Sequence, residues 1–134
     1  MAAAPGPLIQ VFGLQGSQAT RAAERFFKER RLAIHFIDLA RKPIAPGELR
    51  RFVERLGARA LADMEARAWA EAGLGYLRMD DAELVAKLMS DVRLLKLPLV
   101  RIGDGVAAGR DEAAWKRLLA ATMGTAPTAS GSAR

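Results

Sequence analysis

Residues 13–21 form a turn that joins an apolar run at 8–12 to a predicted helix, and they hold the side chains best placed to do chemistry. A strand that ends in such a turn aims several backbone N–H groups at one point in space. The dipole of the following helix adds partial positive charge there, so the point suits an anion or a thiolate. A nucleophilic cysteine is the usual resident of such a site. In this chain the position is held by Ser17.

Ser17 has two compatible interpretations. Its hydroxyl can cap the predicted helix, because serine is among the best N-cap residues, and we favour this role. It can also donate a hydrogen bond to a bound anion or thiol, with Gln15, Gly16 and Arg21 as neighbouring candidates for anion binding. Arg21 fits a solvated surface position equally well. No histidine or carboxylate adjoins Ser17 in the sequence, so a serine nucleophile would need a base from elsewhere in the fold.

The absence of cysteine excludes several classes of site. None of the 134 residues is cysteine, so the chain has no disulfide, no cysteine zinc site and no cysteine nucleophile. His35 is the single histidine and lies in an apolar run, which predicts a hydrogen-bonded residue of the core or of a sheet face rather than a catalyst. One histidine without a carboxylate cluster at ligand spacing predicts no metal site.

The N-terminal segment and the lengths of the apolar runs favour a cytoplasmic protein. Residues 1–7 lack a basic stretch followed by a long apolar stretch, so no secretory signal is predicted. Every apolar run is far shorter than a membrane span, which predicts no membrane partner. A length of 134 residues predicts one domain with a sizeable core.

The formal net charge of +6 is concentrated in the first half of the chain. Residues 1–60 carry 11 basic and 5 acidic residues, whereas the remainder is balanced. Basic pairs at 30–31, 41–42 and 50–51 could together meet an acidic partner, such as a nucleic acid or an acidic protein surface. We favour a solvated surface, because the aromatic residues are not interleaved with the basic ones as base-stacking sites would be.

The first part of the chain predicts a β-α-β unit. Residues 8–12 and 32–39 are the predicted strands, and a helix is predicted over 17–28 between them. The first run is apolar on both faces, as buried strands are. This element order implies a right-handed crossover and a parallel pair of strands.

Helices are predicted to follow this unit. Apolar residues recur at helical spacing over 46–57, and Gly57 suits the end of that helix. A second helix is predicted over 59–72, ended by the glycines that follow it, Gly73 and Gly75. A third begins at Asp80, because Asp80 and Glu83 have the spacing of a capping box.

The last part of the chain predicts a β-β-α unit. A strand over 97–102 leads through the turn at 103–105 to a short strand at 106–108, which is typical of a hairpin. Asp111 is the predicted N-cap of the final helix. The arginines of this unit are predicted to be surface residues: Arg101, Arg110 and Arg117.

Together the elements predict an α/β fold with one four-stranded mixed sheet flanked by helices on both faces. Residues 8–121 form the predicted domain. Residues 1–7 are predicted to be a flexible arm. Residues 122–134, rich in glycine, alanine, serine and threonine, are predicted to be a disordered tail.

Several segments, by their order and spacing, resemble motifs of one known family. Residues 11–17 are similar to a (Y/F)-G-x-x-x-C turn, with Ser17 at the cysteine. The motif F-x-D-L … L … L-G is similar to residues 36–39 with 46–57, and the motif R-P-L-V is similar to residues 96–100. The motif G … W … L is similar to Gly109 with Trp115. Over residues 9–119 the chain thus resembles the arsenate reductase-like (ArsC/Spx/YffB) family of the thioredoxin-like superfamily.

The resemblance implies a bacterial-type protein with the thioredoxin-like fold, a four-stranded mixed sheet built from β-α-β, a helical insertion and β-β-α. It also implies a cis peptide bond before Pro98. In thioredoxin-like proteins the backbone beside this proline pairs with an extended peptide or with glutathione. These two are the candidate partners here, and glutathione is the only candidate cofactor.

Departures from the family pattern bear on activity. Family arsenate reductases attack arsenate with the cysteine and hold the oxyanion with arginines. Ser17 stands at the position of the cysteine, and Asp63 and Leu97 stand where the family has arginines. Arg110 is the single residue that matches an oxyanion-binding arginine. Because a serine hydroxyl is not redox-active, the resemblance implies a catalytically inactive protein that acts as a binding or regulatory module. Two alternatives stay open: an enzyme that binds glutathione or another thiol with Ser17, and a transcription-associated protein like the Spx-type regulators.

Overall fold

The computed structural model describes residues 8–63, 65–71 and 79–122. In these residues four strands form one sheet: β1 (Ile9–Gly13), β2 (His35–Asp38), β3 (Leu99–Ile102) and β4 (Gly105–Ala108). The α-helices that accompany them are α1 (Gln18–Glu29), α2 (Pro46–Leu56), α3 (Arg67–Glu71), α4 (Asp81–Ser90) and α5 (Glu112–Thr122). None of the helices in the described ranges is long and apolar enough to cross a membrane.

The sheet has the strand order β2-β1-β3-β4. β1 pairs in parallel with β2 and antiparallel with β3, and β3 pairs antiparallel with β4. The crossover from β1 to β2 passes through α1, and a turn at residues 103–104 closes the hairpin of β3 and β4. The predicted α/β fold, a four-stranded mixed sheet of thioredoxin-like topology flanked by helices, is therefore confirmed.

Two hydrophobic cores cover the two faces of the sheet. Successive residues of a strand point to opposite faces, so Val11 and Phe12 of β1 belong to different cores. The first core lies between the sheet and α2, α3 and α4, and includes Phe12, Leu49, Phe52, Leu61, Trp69 and Leu84. The second core lies between the sheet and α1 and α5, and includes Val11, Phe26, Phe27 and Trp115.

Helix ends are correctly predicted where a nearby side chain caps the backbone. The Asp80 carboxylate accepts the N–H of Glu83 at 2.8 Å, and the Glu83 carboxylate accepts the N–H of Asp80 at 3.0 Å, so the capping box is present. The Asp111 carboxylate caps α5 by accepting the N–H of Ala114 at 3.0 Å. Gly57 ends α2 with φ of 85°, a left-handed value that favours glycine.

The continuous helix predicted over 59–72 is wrong. The chain instead forms a short 3₁₀ helix, Ala58–Leu61, then an extended segment and then α3. Ala62 forms an antiparallel bridge with Leu95, and the N–H of Lys96 donates to the carbonyl of Leu61 at 2.7 Å. These long-range hydrogen bonds take backbone groups that a helix would pair locally, so they override helix propensity. Gly73 and Gly75 lie outside the described residues.

β2 is shorter than the strand predicted over 32–39. Arg31 adopts φ of 59°, and the N–H of Leu32 donates to the carbonyl of Phe27 at 3.0 Å, so this segment closes α1 instead of pairing with β1. His35 is therefore the first residue of an edge strand, and it is exposed. Of the two positions expected for His35, the core is wrong and the sheet face is correct, and within the described part of the chain its side chain forms no hydrogen bond.

The last helix, α5, extends one residue beyond the predicted domain of residues 8–121. Thr122, assigned to the tail from the sequence, is the last residue of α5, and its hydroxyl donates to the carbonyl of Ile102 at 3.4 Å. The predicted arm, residues 1–7, and the rest of the predicted tail, residues 123–134, lie outside the described residues.

Candidate functional site

The turn between β1 and α1 is held by hydrogen bonds of its own residues. The N–H of Ser17 donates to the carbonyl of Leu14 at 3.0 Å, and Ser17 has extended backbone angles, φ −81° and ψ 123°. Its Oγ accepts the N–H of Thr20 at 3.1 Å, which makes Ser17 the N-cap of α1. The predicted capping role of Ser17 is confirmed.

Gly13 and Thr20 fix the turn against the end of β1. Thr20 is fully buried, and its Oγ1 accepts the N–H of Leu14 at 3.4 Å. A Cβ on Gly13 would overlap the Thr20 side chain, so β1 and α1 approach this closely only because residue 13 is glycine. Sequence reasoning missed this contact. The only signal for it is the glycine at the end of an apolar strand.

The Ser17 hydroxyl has a free proton to donate, and the single histidine is not next to it. A hydroxyl carries one proton and two acceptor lone pairs, and the N–H of Thr20 occupies one lone pair. The single histidine, His35, pairs with Gln10, about 10 Å along β1 from Gly13. In the described residues no further hydrogen bond reaches Oγ. The hydroxyl can therefore donate to a bound group, and among the described residues no base is hydrogen-bonded to it.

Pro98 lies at the same end of the sheet as the turn. Its peptide bond with Leu97 is cis, as expected from the resemblance. The antiparallel register of β1 and β3 brings Pro98 beside Gly13, and the carbonyl of Pro98 accepts the N–H of Gly109 at 2.9 Å. The N–H and carbonyl of Leu97 have no hydrogen bond within the described ranges. These two groups are open to an extended ligand.

Leu97 and Asp63 stand where the resemblance expects arginines, and neither brings positive charge. Leu97 packs, partly buried, against the first core, as does Leu14 from the turn. The N–H of Asp63 donates to the carbonyl of Leu94 at 3.0 Å, which places Asp63 next to the segment that leads to Pro98. The surroundings of Pro98 are therefore apolar and acidic at positions where an oxyanion would need cations.

The remaining candidates for anion binding are exposed. Gln15 and Gly16 lie in the turn, and Arg21 lies one turn into α1. Arg110 follows the residue that is hydrogen-bonded to Pro98, so it belongs to the same end of the sheet. Neither arginine side chain forms a hydrogen bond or ion pair with the described part of the chain. The structure thus brings these residues near the turn without joining them into one contact network.

Arg101 of β3 is not the surface residue that the sequence predicts. Its side chain is 18% exposed, and its guanidinium lies 3.2 Å from the Glu48 carboxylate of α2. It also donates to the Gln10 side chain at 3.3 Å and to the carbonyl of Gly103 at 3.1 Å. Glu48 and Gln10 are distant from Arg101 in sequence, so no local pattern signals this network. It ties α2 to the sheet at the end away from Ser17.

The basic pairs at 30–31, 41–42 and 50–51 are all exposed. The first ends α1 on one face of the sheet, whereas the third lies in α2 on the other face. One member, Arg30, lies over the Phe26 ring at 3.7 Å. These pairs therefore do not form the single basic patch that one sequence-based alternative requires.

Charge interactions and metal ligands do not add to the site. The pKa of Asp91 is held below its usual value because Arg93 donates side-chain and backbone hydrogen bonds to its carboxylate. This exposed pair lies at the start of a short 3₁₀ helix, Val92–Leu94. Across residues 8–63, 65–71 and 79–122, no group of three or more histidine, cysteine, aspartate or glutamate residues is arranged to hold a metal ion.

Comparisons with known proteins agree with this geometry. A family model described as the ArsC family matches residues 12–118. The arsenate reductase from Vibrio cholerae has a TM-score of 0.69 at 17% identity, over 88% of this chain and 97% of that chain. SACOL0876 from Staphylococcus aureus COL has a TM-score of 0.69 at 22% identity, over 82% and 97%. The YffB protein (PA3664) has a TM-score of 0.70 at 18% identity, over 83% and 98%.

At these identities the solved structures show a shared fold and nothing finer. A comparison with curated proteins finds no match. The family model spans most of the described residues, from the end of β1 to α5, and includes both Ser17 and Pro98. The match therefore covers the whole site built above.

Proposed function

This chain belongs to the ArsC family, and from that premise we propose that it is a redox-inactive member that acts as a binding or regulatory module. The observation that carries the proposal is a serine at the family's cysteine position, with its hydroxyl engaged as the cap of α1. None of the 134 residues supplies a thiol in its place. Arsenate reduction as the family performs it needs a thiolate that bonds to arsenic, and a serine hydroxyl does not provide one.

The residues around Ser17 favour loss of the reaction over a change of nucleophile. Leu97 packs against the first core, and Asp63 carries negative charge next to the segment that leads to Pro98. An arsenate anion would meet one apolar and one acidic side chain where charge-assisted hydrogen bonds are required. Arg110 is the one remaining cation at an expected position.

The same site supports binding of an extended peptide. Beside Pro98, the N–H and carbonyl of Leu97 present one free donor and one free acceptor at the end of the sheet. Backbone groups in this arrangement recognise the main chain of an extended ligand, so the interaction does not depend on a cysteine. Leu14 and Leu97 offer apolar contact to a ligand side chain.

The proposal is tested by measuring arsenate-dependent oxidation of glutathione. Three proteins are compared: the wild type, Ser17→Cys and the triple variant Ser17→Cys/Asp63→Arg/Leu97→Arg. We expect no turnover from the wild type, which lacks a thiol, or from Ser17→Cys, because Arg110 without the two missing arginines does not hold the oxyanion. Turnover is expected only when the thiol and both arginines are present. Ser90→Cys, an exposed position at the end of α4, controls for a thiol elsewhere. Turnover by the wild type would overturn the redox-inactive assignment, and turnover by Ser17→Cys alone would overturn the role given to Asp63 and Leu97.

Binding of glutathione or another thiol substrate is the second candidate function, and the free O–H of Ser17 favours it. The hydroxyl could donate to the sulfur of a thiol that the substrate itself supplies. We expect Ser17→Gly, which glycine's tolerance at N-caps makes a mild change, to weaken binding about tenfold in calorimetry. Ser90→Gly is the matched control. Absence of heat and of chemical-shift changes at Ser17 in the wild type would remove this candidate.

A further inference from the structure

A groove between α2 and α4 lies on the face of the sheet that carries the first core, away from α1 and α5. Its cavity volume is about 410 Å³. The floor is apolar and is formed by Pro46 and Val53 from α2 and by Val85 and Met89 from α4. Val53, Val85 and Met89 pack on the first core from outside and stay partly exposed. This surface has no cover in the described part of the chain.

The apolar surface continues beyond this groove. Met89 also borders a second hollow of about 120 Å³, whose lining includes Pro43, Ile44 and Val92. The two hollows thus share one side chain and form a continuous strip along α4. Methionine at such a junction adapts its shape to whatever packs against it.

Opposite charges line the same groove. Arg50 lies on α2 and Asp81 is the first residue of α4, and both side chains are exposed. Within the described ranges neither side chain forms an ion pair, with the other or with any other residue. A partner that covers the apolar strip can therefore satisfy both charges by presenting one acid and one base.

We propose that this groove is a self-association surface on which a second copy of the chain docks about a two-fold axis. A two-fold interface uses the same patch on both copies, so it must be self-complementary. The patch meets this condition, because Arg50 of each copy can face Asp81 of the other across the shared apolar strip. Every copy of the chain carries the same apolar strip and the same two flanking charges, so a second copy supplies both the acid and the base that the groove requires.

The two kinds of contact have different roles in this interface. The apolar strip supplies affinity by removing Val85 and Met89 from water. The charges at its edge set the orientation and reject arrangements that bring like charges together. Because seven residues line the groove, against roughly 20–30 residues a side in a standard interface, the dimer is a weak and reversible one.

Sedimentation velocity on the full chain, from low micromolar to near-millimolar concentration, tests the proposal with Arg50→Asp and Asp81→Arg. Each single variant alone is expected to dimerise at least about tenfold more weakly, because each places two like-charged pairs in the interface. An equimolar mixture of the two variants is expected to recover association to within about threefold of the wild type. In the mixed dimer both charge pairs are again opposite.

Matched controls lie outside the groove. Arg25→Asp changes an exposed residue of α1 on the other face of the sheet, and Glu112→Arg changes the first residue of α5 as Asp81→Arg changes the first residue of α4. Both controls should associate as the wild type does. Met89→Glu, which leaves both Arg50 and Asp81 unchanged, should prevent association through the apolar strip.

The proposal is overturned if the wild type stays monomeric at the highest concentration. This holds even if the groove of that monomer binds an amphipathic helix of another protein. It is also overturned by a dimer that Met89→Glu leaves intact, or by a mixture that associates no better than the single variants.

Discussion

Two groups of residues around Ser17 differ in how firmly the fold holds them. We call Gly13, Thr20 and Pro98 the framework, and Arg21 and Arg110 the ligand-facing side chains. In the framework, Thr20 is fully buried and Pro98 is buried with its carbonyl hydrogen-bonded. By contrast, Arg21 and Arg110 are exposed and form no ion pair with the described residues. Ser17 belongs to both groups, because its oxygen caps α1 while its proton is free.

This difference separates the shape of the site, which packing fixes, from the side chains that would act on a ligand. Gly13, Thr20 and Pro98 are required by the packing of β1 against α1 and β3, whatever reaction the site performs. Serine caps α1 without disturbing any of these contacts. The family model, matched over residues 12–118, therefore shows membership of the ArsC family, whereas the fold says nothing about arsenate reduction.

Gly13→Ala is expected to have the largest effect. The added Cβ would overlap the buried Thr20 side chain, and overpacking of this kind costs about 2–3 kcal/mol of the free energy of unfolding. Urea denaturation measures the loss. Gly16→Ala is the matched control, because a Cβ there meets nothing within 4 Å, and it should leave stability unchanged or raise it by up to about 1 kcal/mol.

A double-mutant cycle sharpens this test. Thr20→Ala removes the atoms that the new methyl group would meet, so Gly13→Ala/Thr20→Ala should be less destabilised than the sum of the single variants. Additive losses would contradict the close approach of Gly13 to Thr20.

Ser17→Ala should cost about 1 kcal/mol of stability, because the N–H of Thr20 loses its cap. Ser17→Asp should restore most of that loss, since aspartate caps a helix equally well and its charge suits the helix N-terminus. Thermal and urea unfolding measure both. Equal stability of the wild type and Ser17→Ala would mean that the hydroxyl is not a cap.

Features decided by neighbouring residues could be predicted from the sequence. The Asp80–Glu83 capping box, the Asp111 and Ser17 caps and the hairpin turn depend on spacings of a few residues. The cis Pro98 followed from the resemblance, which rests on motifs in order along the chain.

Features decided by distant residues could not be predicted. The bridge of Ala62 with Leu95 breaks a helix that propensity favours. Arg101 is held by Glu48 and Gln10, 53 and 91 residues away. The exposure of His35 depends on which strand lies at the edge of the sheet, and an apolar run does not say this.

Arg21→Gln and Arg110→Gln should each change the free energy of unfolding by less than about 0.5 kcal/mol, because exposed side chains without partners contribute little. Calorimetric unfolding of each variant gives the comparison. A larger loss for either arginine would place it in the framework instead of among the ligand-facing side chains.

Arg93→Gln should have the smallest effect, and only near neutral pH. Because Arg93 holds the folded-state pKa of Asp91 below its unfolded value, the pair stabilises the fold above the unfolded pKa. This contribution is lost as the pH falls through the folded pKa. Urea midpoints of wild type and variant should therefore differ slightly at neutral pH and converge in acid. A difference that persists in acid would point to lost packing instead of lost charge.

The pKa of the thiol in Ser17→Cys tests most directly whether the framework around residue 17 still stabilises an anion. It can be measured from the pH dependence of alkylation, with Ser90→Cys as the reference. Backbone N–H groups and the dipole of α1 should hold the thiol pKa in Ser17→Cys below the ordinary value of about 8.5 and below that of the reference. A thiol pKa at or above that of Ser90→Cys would show that the turn no longer stabilises an anion.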